Sequence, residues 1–459
     1  MQVLLTGTSY FPEFSAGTEV YMRYVSRYLA EQGDKVRIAC GGHEVPGTSS
    51  DPKWLRKDFE FEGILVSRVV RNASRGAMSD HFIREDSERH AIWARLFEEV
   101  APEVVFTVGR GPALMGDVEQ VARKAGVPVV ATLIHPDQVC PKGPRLDAWG
   151  NGCLRALDAD ICTACLVRSR CGVPGLYWAL KALPAGRLPK WRPQSGLAGR
   201  LRTALLLPRM VSGFLHHWQE LREAVSLFVA HSEAARELLQ ANGVPASKIR
   251  LSAPGLEPRQ RASRARSGTG PVKFGFVGRP CAEKGGHTLV KAWRLLERDV
   301  AAELHIWGNP HTGEPDVVAG IRALAVFDQR VVFHGPFTRD QTDSIYDSID
   351  VLLVPSEWFD NCPFVISEAC AAGVPVVGSD FGGIRSMIRH EVDGLLFPMG
   401  EARGLAGALT RLAGDLQAVQ GLARHVRPPR DARDHVREVR TFFQEICGKL
   451  PLVDMQTID

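Results

Sequence analysis

Four charged side chains in the second half of the sequence have the types and spacing to handle a phosphorylated ligand. Arg279 and Lys284 lie in the run Phe276-Val277-Gly278-Arg279-Pro280, followed by Glu283-Lys284-Gly285-Gly286. The run reads as a strand, a turn and the start of a helix. Two cations beside the positive end of a helix dipole suit a diphosphate. The plain alternative is a solvated basic turn, since the pattern is neither a Walker loop nor G-x-G-x-x-G. Asp360 and Glu368 lie further on, to either side of another helix start, within residues 350–398. Two apolar runs, VLLVP and VPVVGS, flank them and stop at Pro355-Ser356 and Gly378-Ser379-Asp380. Such runs read as buried parallel strands whose carboxyl ends open onto a site. Gly382-Gly383 follows the second run, where backbone can approach an anion closely. Read alone, Glu368 is equally a helix-start charge favoured by the dipole.

A second cluster is made of cysteines. The chain has ten, and Cys140, Cys153, Cys162 and Cys165 give C-x12-C-x8-C-x2-C, with Cys171 close behind. In a reducing compartment this spacing fits a structural zinc tetrathiolate, since one tight turn of C-x2-C supplies two ligands. An iron–sulfur cluster and plain reduced thiols are the alternatives. Which four of the five would bind is open.

The elements that position these residues alternate. In the first half, strands are expected near 3–6, 36–40, 63–70, 104–108, 128–133, 227–232 and 249–252. Helices are expected near 19–32, 85–101 and 233–242, from apolar residues at helical spacing. Residues 140–226 interrupt the pattern as a Cys-, Arg- and Trp-rich insertion. A second series starts with strands near 274–277, 304–307 and 331–333 and helices near 286–296 and 339–349. Alternation of this kind implies α/β units with parallel sheets. The expected architecture is two Rossmann-like domains facing each other across a cleft, with ligands beyond the carboxyl ends of the strands. The domains would be 1–258, a polar, basic linker at 259–272, and 273–459 with the final helix.

The 459 residues are too many for one compact core, and 45% hydrophobic with 24% charged residues is ordinary for a globular protein. A net charge of +4 is too mild to argue nucleic acid. No apolar run approaches the ~20 residues of a membrane span, and the amino terminus lacks the pattern of a signal peptide. A cytoplasmic protein is expected, at most peripheral at the inner membrane face. Residues 175–217 mix Leu, Trp, Tyr and Phe with Lys181, Arg187, Lys190, Arg192, Arg200, Arg202 and Arg209. That mixture suits an anionic membrane surface or an acidic acceptor. An ordinary helical hairpin with a solvated face explains it as well.

Taken in order, FVGRPCAEKGG, DVLLVPS, DNCPFVISEA and AGVPVVGSDFGG resemble glycosyltransferase family 4. SAGTE, His135 after a strand, HSEAARELL and LSAPGLE are weaker echoes in the first half. The resemblance implies the GT-B fold and a retaining, metal-independent hexosyl transfer from a nucleotide-sugar donor, UDP- or GDP-linked, to a glycan or lipid-linked acceptor of the kind used in polysaccharide biosynthesis. It implies that Arg279 and Lys284 neutralise the donor diphosphate. Glu368 would hold the ribose hydroxyls, and Asp360 would stand where a glutamate near the transferred sugar is usual. Asn361 and the backbone of Pro363, Phe364 and Val365 would line the donor. Gly17 would lie in a loop over the diphosphate, and His135 would point toward sugar or acceptor. No cofactor would be needed for catalysis; zinc would be structural.

Three positions depart from the family's pattern. Asp360 is one methylene shorter than glutamate, Ala16 replaces one glycine of a usual pair, and Ser386 sits where Gly-Gly-x-x-Glu is common. These departures keep two other readings open: a GT-B protein that binds nucleotide or glycan without catalysis, and a sugar-nucleotide epimerase acting on the donor alone.

Overall fold

The structure is a computed structural model that describes residues 1–14, 16–48, 50–74, 86–109, 117–133, 136–171, 197–257 and 270–449; the side chains of 171, 197–203 and 205 lie outside the description. The chain divides into two compact units. The first comprises Met1–His231, Ala235–Ser252 and Arg433–Asp459, the second Ser232–Ala234 and Ala253–Ala432.

The first unit is built on an eight-stranded sheet. Its strands are β1 (Gln2–Gly7), β2 (Lys35–Gly41), β3 (Trp54–Phe61), β4 (Ile64–Arg71), β5 (Val104–Thr107), β6 (Val129–Thr132), β7 (Val225–Ala230) and β8 (Ile249–Leu251). Their order is β3-β4-β2-β1-β5-β6-β7-β8. All pairs are parallel except the β3–β4 hairpin at the edge. Strands β1, β5 and β6 are short, Val- and Leu-rich and buried along almost their whole length. That composition belongs to sheets covered on both faces.

Helix α1 (Gly17–Glu31) follows β1 and buries Val20, Tyr21, Tyr24, Val25, Tyr28 and Leu29. In the insertion after β6, regular structure resumes with α2 (Ala159–Cys171) and the long α3 (Leu197–Ala224). Leu166 and Val167 of α2 pack on Ala204, Leu207 and Val211 of α3. Among the described residues no helix is long and apolar enough to cross a membrane.

The second unit carries β9 (Val272–Val277), β10 (Ala302–Trp307), β11 (Val331–Gly335), β12 (Val351–Val354), β13 (Val376–Ser379) and β14 (Gly394–Phe397). The order is β11-β10-β9-β12-β13-β14, and every pair is parallel. Side chains alternate between two cores, as a period of two requires. Phe274, Phe276, Val351 and Leu353 enter one core with Leu289 and Trp293, while Val277, Leu352 and Val354 enter the other with Ile366 and Ile384. Three helices of this unit matter below: α4 (Gly286–Arg294), α5 (Thr342–Ser348) and α6 (Phe364–Ala371).

One expectation changes. The final helix α7 (Ala432–Ile446), expected with the C-terminal domain, packs with the first unit from Arg433 onward. The reason is a set of buried contacts. Phe443 meets Phe106 edge-on, with ring centroids 5.3 Å apart. The fully buried His435 joins Tyr21 and Ser252, each at 2.9 Å. The Ser252 hydroxyl lies 2.5 Å from the Glu438 carboxylate, which can only accept. Ser252 therefore receives the His435 Nδ1 proton, and Tyr21 donates to Nε2. The linker expected at 259–272 lies mostly outside the described residues.

Candidate functional site

In the second sheet the strand order grows from β9 outward to β11, then restarts on the other side of β9 with β12. The reversal between β9 and β12 is the place where open parallel sheets hold ligands, beyond the carboxyl ends of the strands. Loops lead from the carboxyl ends of both strands into helices. After β9, Gly278 has φ 153° and Gly285 has φ 75°, and these glycines shape the turn that delivers Arg279 and Lys284. Gly285 could carry no side chain, because its Cβ would lie 1.7 Å from the Pro355 carbonyl oxygen. After β12, the chain runs through Ser356 and Trp358 to Asp360 and then enters α6.

Lys284 and Asp360 meet across this gap, with Nζ donating to Oδ2 at 2.5 Å. Asp360 is only 7% exposed. Ser356 Oγ donates to the same oxygen at 3.2 Å, and the Lys284 ammonium lies 5.1 Å from the centre of the Trp358 ring. The acid thus acts here as the fixed counter-ion of the lysine. Gly382-Gly383, after β13, packs on the backbone of Asp360 and Asn361. Gly383 N–H donates to the Asp360 carbonyl at 2.8 Å, and a Cβ on Gly383 would fall 1.4 Å from the Asn361 oxygen. The pair of glycines therefore braces the acid-bearing loop.

Arg279 follows a different course. Its side chain is 54% exposed and reaches Glu283 of the same turn at 3.3 Å. Both expected cations thus lie on one loop, one held by the opposite strand's loop and one at the surface.

Glu368 belongs to α6, which begins at Phe364 and has no acidic residue in its first turn. The helix-start explanation of Glu368 is therefore excluded. What holds it is Tyr346 of α5, whose hydroxyl donates to Oε2 at 2.9 Å. Helices α4 and α6 both start without a side-chain cap, at Gly285 and Pro363. Uncapped amino ends beside a cation form a setting for anions. Pro363, Phe364 and Val365 occupy the start of α6, and the Asn361 side chain accepts from the Ser232 hydroxyl at 2.6 Å. Burial, with the Asp360 charge adding to it, pushes the neighbouring Cys362 thiol up to about 12, so it stays protonated and unreactive.

Ser356, Trp358 and Tyr346 were not singled out from sequence. Ser356 and Trp358 sit inside a stretch already marked, so their positions were open to the same reading. Tyr346 lies 22 residues from its partner and carries no local signal.

Gly17 opens α1 in the first unit and is exposed. His135 lies outside the described residues. Cys140, Cys153, Cys162 and Cys165 are all free thiols of the first unit. Residues 175–196 of the basic, aromatic stretch lie outside the described residues, and Arg209 is exposed on α3.

Two Rossmann-like α/β units in one chain make up the GT-B fold. Solved structures of this shape align along almost the whole chain. Anabaena Alr3699/HepE in complex with UDP and glucose covers 97% of this chain and 99% of its own, with TM-score 0.59 at 15% identity. Sucrose-phosphate synthase from Thermosynechococcus elongatus covers 98% and 100%, with TM-score 0.59 at 17% identity. At these identities the likeness is one of fold.

The sequence carries a narrower match. Residues 271–415 fit the model of the family described as Glycosyl transferases group 1. The chain is 31% identical over 222 residues to the D-inositol 3-phosphate glycosyltransferase of Nocardia farcinica, covering 45% of this chain and 49% of that protein. It is 31% identical over 184 residues to the amylovoran biosynthesis glycosyltransferase AmsK of Erwinia amylovora, covering 38% and 44%. The matches span about half the length of these curated relatives.

Proposed function

We propose that the protein is a retaining glycosyltransferase that moves a sugar from a nucleotide-diphosphate-sugar to a glycan or lipid-linked acceptor. The observation that carries the reading is the Lys284–Asp360 pair at the strand-order reversal of the second sheet, beside two uncapped helix starts. A diphosphate entering there finds a cation already held at 2.5 Å from a fixed carboxylate and a second cation, Arg279, on the same turn. The relatives named glycosyltransferases support the same direction.

In the proposed reaction the bond from the sugar's anomeric carbon to the diphosphate breaks, and a bond to the acceptor hydroxyl oxygen forms on the same face. The acceptor proton passes to the departing phosphate, which leaves as the nucleoside diphosphate. Lys284 and Arg279 stabilise the charge that grows on that phosphate, the class of contribution that dominates many such reactions. Glu368, steadied by Tyr346, accepts hydrogen bonds from the ribose. Asp360 sets the position of the Lys284 ammonium. For Gly17 and His135 the roles remain those that the resemblance implies. No cofactor enters the proposed chemistry, so the charge work rests on the two cations.

A thermal-shift series with UDP-, GDP- and ADP-sugars tests the reading. UDP-sugars come first, because Anabaena Alr3699/HepE has been solved with UDP-glucose. Stabilisation by one donor class, with donor turnover lost in Lys284→Ala and Glu368→Ala, is expected. Indifference to every donor refutes the proposal. Donor binding without turnover in the presence of acceptor extracts leaves a binding protein in its place.

A further inference from the structure

The cysteine pattern of the insertion takes on a charge problem once the chain is folded. Cys140 is buried and directly follows the turn Pro136–Val139. The chain then forms a small hairpin closed by the Leu146–Gly152 bridge, with Asp147 N–H donating to the Asn151 carbonyl at 2.8 Å across the turn. Cys153 comes next, its N–H donating to the Arg145 carbonyl at 2.7 Å. Cys162 and Cys165 lie one turn apart in α2, near its start, where Asp158 Oδ1 accepts from Ile161 N–H at 2.8 Å. The Cys165 sulfur approaches the Leu146 carbonyl at 4.0 Å, so this turn of helix faces the hairpin. Cys162 and Cys165 each lie within electrostatic reach of Cys140 and Cys153.

Between these pieces sits Arg145, 2% exposed and held at a positive φ of 58°. Its guanidinium meets only backbone carbonyls, Val139 at 2.9 Å and Arg155 at 2.7 Å, and its Nε is buried with no hydrogen-bond partner. Among the described residues no carboxylate pairs with it. Lys142 likewise donates to a carbonyl, that of Asp147, at 2.7 Å. A buried charge without a counter-charge is costly by several kcal/mol. Arg145 acts electrostatically on Cys162, while Lys142 acts on Cys165 and also on the Asp147 carboxylate. Neutral thiols supply no balancing charge. Four thiolates on one divalent zinc carry a net charge of two minus, which gives the buried Arg145 its counter-charge and which Lys142, shared with Asp147, offsets in part.

We infer that Cys140, Cys153, Cys162 and Cys165 form a structural zinc tetrathiolate whose negative charge is the counter-charge of the buried Arg145, with Lys142 nearby. No three of the four sulfurs lie within 4.8 Å of one another. Zinc–sulfur bonds of about 2.3 Å put tetrahedral sulfurs about 3.8 Å apart. Binding therefore draws the hairpin onto the first turns of α2. With all four positions filled by protein, the metal has no open site for substrate or water. Its work is to pin the hairpin and α2 to the segment that follows β6.

The test uses the full chain, reduced and purified from zinc-supplemented medium. Metal analysis is expected to find one zinc per chain. Titration of the metal-stripped chain with Co(II) is expected to give sulfur-to-cobalt charge transfer and the strong ligand-field bands of tetrahedral cobalt. Cys162→Ser with Cys165→Ser abolishes both, and Cys171→Ser keeps both. Arg145→Met retains the stoichiometry but weakens zinc about 10–100-fold against a competing chelator, the usual effect of an outer-shell partner. The cobalt titration of the unmutated chain stands even if a variant fails to fold. No stoichiometric metal together with no tetrahedral cobalt spectrum overturns the proposal. Iron in place of zinc, or loss of metal in Cys171→Ser, overturns the assignment of ion or ligands.

Discussion

Lys284 Nζ and Asp360 Oδ2 stand 2.5 Å apart although 76 residues separate them in the chain. The pair joins the loop after β9 to the loop after β12. Removing the lysine would leave a carboxylate that is 7% exposed without its cation. Lys284→Ala is therefore expected to lower donor turnover by about 100-fold or more, the scale of losing one preorganised electrostatic contact. It is also expected to cost about 1–2 kcal/mol in denaturant unfolding, less than a fully buried pair would because the lysine is partly exposed. Asp360→Glu keeps the charge and is expected to retain activity, while Asp360→Ala loses it with Lys284. Full turnover in Asp360→Ala would remove the acid from the site.

Tyr346→Phe separates holding from reacting. The hydroxyl that donates to Glu368 Oε2 at 2.9 Å disappears, and the carboxylate stays. One such hydrogen bond is worth about 1 kcal/mol. A rise of about fivefold in donor KM with kcat unchanged is expected from steady-state kinetics, the signature of lost uniform binding. A fall in kcat of the same size as in Glu368→Ala would instead put Tyr346 in contact with the reacting groups.

The glycines of the site are steric requirements. Gly383→Ala would push a methyl to 1.4 Å from the Asn361 oxygen, and the loop bearing Asp360 would have to move. A loss of about 3 kcal/mol in unfolding free energy is expected, with donor binding lost in parallel. Gly407, exposed in the helix Ala402–Ala413, is the control, since a Cβ there meets nothing within 4 Å. Gly407→Ala is expected to stabilise by about 0.5–1 kcal/mol. Equal effects of the two changes would show that the site loop is not braced in this way.

His231 sets an acid limit on the first unit. Its Nδ1 lies 2.9 Å from the Ser252 carbonyl, so it donates there, and Nε2 accepts from the Thr132 hydroxyl at 2.5 Å. Both nitrogens are satisfied in the neutral ring, and burial drives the group down to about 4. The unfolded chain takes up the proton near pH 6.5, while the folded chain resists it. Stability is thus fully present above about pH 6.5 and falls as the pH drops toward 4, by about 3 kcal/mol over that window. Urea melts at pH 7.5 and 4.5 measure the loss, and His231→Asn is expected to flatten it.

The strands were legible because each is a run of Val, Leu, Ile or Phe stopped by Gly, Pro or Ser, as in VLLVP and VPVVGS. The motif residues Arg279, Lys284, Asp360 and Glu368 drew notice for a related local reason, since each lies between the end of such a run and the first turns of the helix that follows it. Partners were not. Nothing near Glu368 points to Tyr346, and nothing near Arg145 says that its guanidinium is buried against the carbonyls of Val139 and Arg155. The place of α7 was misread because His435 and Phe443 are matched by Tyr21 and Phe106, at the opposite end of the chain. Periodicity predicts that a helix buries one face and is silent about the sheet that receives it.

The return of α7 to the first unit has a consequence for biosynthesis. Arg440 of α7 donates to the buried Asp34 at 2.7 Å, and the Met1 amino group before β1 donates to the same carboxylate at 2.6 Å, so β1 and α7 share one acid. A ribosome delivers β1 before α7, and the helix that covers Tyr21 and Phe106 emerges only after the bulk of the second unit. The first unit must wait, partly open, through synthesis of residues 253–432, whereas the second can complete its sheet as one continuous piece. Translation pausing or chaperone demand should fall on the first half, and a circularly permuted gene that begins at α7 would remove the delay.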